Sequence, residues 1–185
     1  RDHCVTGVQT CALPISSTLT LPLSTSSFQT LDVLNSSTVT SVSPVDSNST
    51  PLDLRVLGTL TVDTNSKIDV SIRGLSGIGV VADGAAGSYG GRGGGSSNLT
   101  YGDYLAPVDF GTGSGRVSAM YGHFGYGGGA IKITAGTLNL DGQLLATGSS
   151  RYYRTSYGTP YYTNGGSGGS IWMDADVWLG CGLVS

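Results

Sequence analysis

Residues 127–148 read GGGAIKITAGTLNLDGQLLATG, and their spacing decides the fold class. Ile131 and Ile133 alternate with Lys132 and Thr134, Leu138 and Leu140 flank Asn139, and Leu144 follows a turn at Asp141-Gly142. A period of two sends neighbouring side chains to opposite faces of a strand. Each short strand therefore carries one apolar row and one polar row. Glycines fence both ends, as they do where a chain turns or backbones approach closely.

The scheme recurs. GGSGGSIWMDADVWLGCGLVS at 165–185 gives Ile171 and Met173, then Val177-Trp178-Leu179, a Gly180-Cys181-Gly182 turn and Leu183. LRVLGTLTVDTNSKIDVSIRG at 54–74 gives Leu54 and Val56, Leu60 and Val62, a longer turn through Asn65, then Ile68 and Val70. One such unit buries almost nothing by itself. Stacked on its neighbours it contributes one layer to a continuous apolar interior, which is how solenoids are stabilised. The expectation is an all-β parallel β-helix or β-solenoid with glycine-rich loops between its rungs. The alternative is an antiparallel β-sandwich, which also uses short alternating strands. The strand–strand–turn–strand order fits successive rungs better than hairpins. Few of the turns carry the Asn-Gly or Asp-Gly signal of two-residue hairpins, Asp141-Gly142 being the main exception.

Composition points the same way. Charged residues make up 11% of the chain, glutamate is absent and only Lys67 and Lys132 are lysines. Helices use glutamate and lysine on their exposed faces, so a helical protein is excluded. The 31 glycines follow no collagen period. A net charge of −3 without a basic cluster excludes a nucleic-acid footprint. No apolar run approaches the roughly 20 residues that span a bilayer as a helix.

Three regions differ in texture. Residues 1–16, RDHCVTGVQTCALPIS, lack an initiating methionine, and 5–15 resemble the translation of a sequencing-library adapter. That resemblance implies an artefactual leader, leaving Cys181 as the one native thiol and a chain that is a fragment open at both ends. Residues 17–51 are Ser/Thr-rich with pairs such as Leu19/Leu21 and read as a leading rung. Residues 52–185 hold the repeating units, interrupted by glycine-rich inserts at 83–97 and 111–129. These are either flexible loops or glycine layers laid where no side chain fits.

GTLTVDTNSKIDVSIRG, GGRGGGSS, YGDYLAPVDFGTGSG, GGGAIKITAGTLNLDGQLLATG and GGSGGSIWMDADVWLGCG follow one another in that order. From Leu52 onward the chain resembles the glycine-rich β-solenoid segments of very large extracellular or cell-surface proteins, of the pectin-lyase-like or adhesin-like kind. The resemblance implies a secreted or surface location and a structural or adhesive role. Its second implication is a carbohydrate-binding or polysaccharide-degrading module on the same coil.

No residues are assigned to catalysis. His123 sits in a glycine loop without a partner recognisable by spacing, and general acid–base work needs one. Asp174 and Asp176 stand two apart on one strand, a spacing suited to paired carboxylate chemistry or to Ca²⁺. A phosphate loop at 111–116, GTGSGR, fails because no helix can follow it. Aromatics lead more directly to a partner. Tyr152, Tyr153, Tyr157, Tyr161 and Tyr162 crowd one insert, and Trp172 and Trp178 read as lying opposite Ile171, Met173, Val177 and Leu179. Such rings stack on glycans or dock on other surface proteins, while self-association into fibres is the further partner of an open stack. The pairs Thr18/Thr20, Thr38/Thr40 and Thr59/Thr61 raise an ice-binding hydroxyl array, and Asn35, Asn48 and Asn98 head acceptor sequons for N-glycans.

Overall fold

The computed structural model describes residues 9–44, 49–77, 81, 85–95, 99–115, 125–150, 152–154, 160–162 and 164–185. Among them are twelve strands and no helix. The long strands are β3 (Thr25–Val33), β5 (Leu52–Val62), β7 (Ala130–Leu140) and β11 (Ser170–Leu179). With β1 (Gln9–Ala12) they form a five-stranded sheet in the order β1-β3-β5-β7-β11. The short strands β2 (Thr18–Leu21), β4 (Thr38–Ser41), β6 (Lys67–Asp69), β8 (Gln143–Leu145) and β12 (Leu183–Val184) form the other, in the order β12-β8-β6-β4-β2. Every ladder in both sheets is parallel, which excludes the antiparallel sandwich. Apart from one hairpin, β9 (Tyr152–Arg154) with β10 (Pro160–Tyr162), the chain alternates between the sheets.

Register converts the sequence pattern into columns. Cys11, Leu31, Leu60, Leu138 and Trp178 pair in succession across the first sheet. Leu19, Val39, Ile68, Leu144 and Val184 do so across the second. Leu31, Leu60, Leu138, Val39, Ile68 and Leu144 are completely buried. Each such side chain contributes about 1.5–3 kcal/mol by leaving water. Ile133 and Leu140 point into the same core, as their alternation predicts.

The long strands break their alternation once. The register slips between Val56 and Thr59, so that Ala135 and Leu138, three apart, both face inward. Gly58 and Gly136 sit at this bend, and a Cβ on either would stand 2.9 Å from a carbonyl oxygen of the neighbouring strand. The bend flips the parity of every residue after it. Trp178 therefore shares the inward column with Leu138, while Trp172 pairs with Lys132 on the outward row. The two tryptophans lie on opposite faces, a correction to the common face that strict alternation predicts.

Turns stack as well. Asp141-Gly142 joins β7 to β8 in different sheets, so it is a corner and not a hairpin. The N–H groups of Asp141 and Gly142 donate to Val62, and Gly182 donates to Leu140 from the layer beyond. Below, the Asp63 carboxylate accepts the Asn35 N–H at 2.7 Å. Inside the corner the fully buried Ser37 accepts an N–H from Ser17 at 3.4 Å and donates its hydroxyl to Pro14 at 2.7 Å. Ser66 in turn accepts the Ser37 N–H at 3.1 Å. The polar groups of the buried Ser37 are thus satisfied by the adjoining layers, as most buried polar groups are.

The residues that resemble an adapter are part of this packing. β1 is the edge strand beside β3, and Cys11 and Leu13 are buried in the core cluster.

Candidate functional site

Between β6 and β7 the chain leaves the sheets and builds an ordered glycine array. Gly74 donates to Gly127, Leu75 to Gly111, Gly113 back to Leu75, Gly111 to Gly128 and Gly128 to Ser167, all between 2.8 and 2.9 Å. A Cβ on Gly87, Gly127, Gly128 or Gly169 would stand on a carbonyl oxygen of a neighbouring segment. None of these four has a positive φ. They are glycine because backbones touch, not because the chain turns there. Of the two readings of these inserts, the layered one fits their described residues.

The array carries an aromatic cleft. Tyr101 donates its backbone N–H to Tyr89, and the two rings meet edge to face with centroids 5.2 Å apart. The Tyr101 hydroxyl donates to the Phe110 carbonyl at 2.5 Å and shares a 2.6 Å bond with Thr112. Burial pushes the phenols of Tyr89 and Tyr101 above the usual tyrosine range, with hydrogen bonds from Ser170 and Thr112 respectively working against the rise. Both therefore stay neutral and hydrogen-bonded at physiological pH. Between Tyr101 and Asp103, Gly102 adopts φ +96°, and a Cβ there would fall 2.6 Å from the Tyr89 ring. Only glycine permits this closure. Asp103 accepts the Leu105 N–H at 2.8 Å, which fixes the tip of the loop.

Tyr89, Thr100, Tyr101, Asp103, Tyr104 and Pro107 line a cleft of about 360 Å³. Tyr104 is 89% exposed, and Leu99 and Leu105 are also largely in solvent. The cleft thus combines an aromatic floor with a solvent-exposed ring at Tyr104 and the exposed Leu99 and Leu105.

The sequence-predicted residues are spread over other parts of the molecule. Tyr152 and Tyr153 pair with Tyr162 and Tyr161 in the β9–β10 hairpin. Tyr157 lies outside the described residues, as do His123, Asn48 and Asn98. Trp172 holds the Lys132 ammonium over its ring at 4.6 Å, and Trp178 donates its indole N–H to Ala175. Asp174 and Asp176 are exposed on β11, and among the described residues no three His, Cys, Asp or Glu gather where a metal could bind. Thr18 and Thr20 are in register with Thr38 and Thr40, but the next strand offers Lys67 at the matching position, so the hydroxyl rows span two strands. Asn35 is exposed on a turn. No helix among the described residues is long and apolar enough to cross a membrane.

The cleft was missed because it joins residues twelve apart through a glycine conformation. YGDY at 101–104 carried the signal: a glycine between a tyrosine and an aspartate in an insert with another tyrosine upstream. The chain matches no protein-family model, no curated protein and no solved structure.

Proposed function

We propose that this chain is a structural and adhesive segment of a secreted or cell-surface protein, built as a parallel β-solenoid. The observation that supports it most is the repetition of one inward column through successive parallel strands, from Leu31 through Leu60 to Leu138. Such a stack is stiff along its axis, because each layer is held by the next through backbone bonds and dry aliphatic contacts. Its inserts are free to differ, and here they present tyrosines and exposed leucines. An exposed sequon at Asn35 suits a secreted setting.

A carbohydrate-binding role of the same module is favoured by the tyrosine cleft. For polysaccharide cleavage the described lining of the cleft offers one carboxylate, Asp103, where glycoside hydrolysis uses two. Beads coated with the chain are expected to adhere to polysaccharide-coated surfaces without generating new reducing ends or unsaturated products. Steady release of such products from a glycan panel would replace the adhesive reading with an enzymatic one.

A further inference from the structure

We infer that the Tyr89–Tyr104 cleft is a binding subsite for a neutral pyranose of a glycan chain, with the apolar face of the sugar stacked on Tyr104. The inference rests on the adhesive reading and gives it a site and a ligand class. Its starting point is the Tyr104 ring, 89% exposed at a loop tip that is otherwise fixed. The Gly102 backbone, the Asp103–Leu105 hydrogen bond and the bonded Tyr101 hydroxyl hold that tip in place. An exposed ring gains when an apolar surface covers it, and because the backbone that carries it is already held, little main-chain order is lost on binding.

Size narrows the occupant. At about 360 Å³ the cleft lies near the lower end of the roughly 300–1,000 Å³ range of small-molecule sites, room for one or two sugar rings. Charge narrows it further. Asp103 is the one acidic side chain among the described lining residues, and no lysine or arginine joins it there. One carboxylate oxygen is engaged by the Leu105 N–H, leaving the other to accept hydroxyl groups, with Thr100 as a further polar partner. A uronate or sulfated sugar would bring an anion against Asp103 with no cation to offset it. A quaternary ammonium group needs rings that face a common centre. Tyr89 and Tyr101 instead meet edge to face, at an interplanar angle of 62°, and do not form a cage with Tyr104. A neutral polyhydroxyl ring with an apolar face fits what remains.

The test titrates the whole chain with neutral oligosaccharides, oligogalacturonate and choline, alongside Tyr104→Ala and Tyr104→Phe. The expected result is binding of at least one neutral oligosaccharide. Tyr104→Ala should weaken it about tenfold, Tyr104→Phe should largely restore it, and the melting midpoint should not move. Equal binding by wild type and Tyr104→Ala overturns the proposal, as does binding of oligogalacturonate or choline alone, or of no neutral sugar. If coated beads adhere but Tyr104→Ala beads adhere equally, the subsite fails while the adhesive reading stands. If wild-type beads adhere to nothing, both fail.

Discussion

The aliphatic columns and the glycine array solve the same packing problem in opposite ways. In the columns, Leu60 and Leu138 fill the space between sheets and exclude water from it. In the array there is no such space, because Gly127 and Gly111 bring backbone against backbone. The columns are stabilised by apolar area, and such cores accept exchanges of similar volume. The array is stabilised by hydrogen bonds between segments far apart in sequence, and at Gly87, Gly127, Gly128 and Gly169 it accepts no added atom. One region tolerates change in identity but not in polarity. The other tolerates neither.

The largest expected effect comes from placing a charge in a column. Leu138→Asp should abolish cooperative folding, since an unpaired buried carboxylate cannot be accommodated, whereas Leu138→Ala should cost about 2–5 kcal/mol. Denaturant melts of both variants check this, and a native-like melt for Leu138→Asp would break the inward assignment.

Next is the array. Gly128→Ala puts a methyl group on the Ala146 carbonyl and should cost at least about 1–3 kcal/mol, while Gly91→Ala, with open space around it, should stay within about 0.5 kcal/mol. Equal tolerance at both sites, measured by thermal unfolding, would erase the distinction between a packed array and a loop.

Acid is expected to act least. Burial opposes ionisation of Asp69, but bonds from Lys67, at 2.7 Å, and Ser71 outweigh it and hold its pKa below the ordinary value. A carboxylate with a depressed folded-state pKa stabilises the fold above its unfolded pKa and loses that contribution as pH falls through the folded value. Stability should therefore decline below about pH 4, and Asp69→Asn should flatten that decline at a cost under about 1 kcal/mol near neutrality. An unchanged acid limb in Asp69→Asn would assign the decline to other carboxylates.

Much of the column architecture was legible in the sequence because alternation is a direct image of burial. Ile131, Ile133, Leu138, Leu140 and Leu144 declare their faces by spacing alone. Trp178 did not, because a bend between Ala175 and Val177 shifts the phase and leaves no mark beyond ordinary residues. The glycine array was legible as composition but not as structure, since glycine signals freedom and close contact with the same letter. The cleft depends on Tyr89 and Tyr101 meeting through hydrogen bonds of the array, a contact without periodicity. β1 is a further case, where residues of foreign texture carry Cys11 into the Leu31 column.

Cross-linking of chosen cysteine pairs tests the parallel stacking most directly. In a Cys181→Ser background, Thr61→Cys with Asn139→Cys joins two register partners on adjacent strands. Parallel neighbours about 4.8 Å apart lie within disulfide reach. That pair should close on oxidation, while Asp53→Cys with Asn139→Cys, at opposite ends of β5 and β7, should stay reduced. The reverse outcome would mean that these strands run against each other, and the shared columns would not exist.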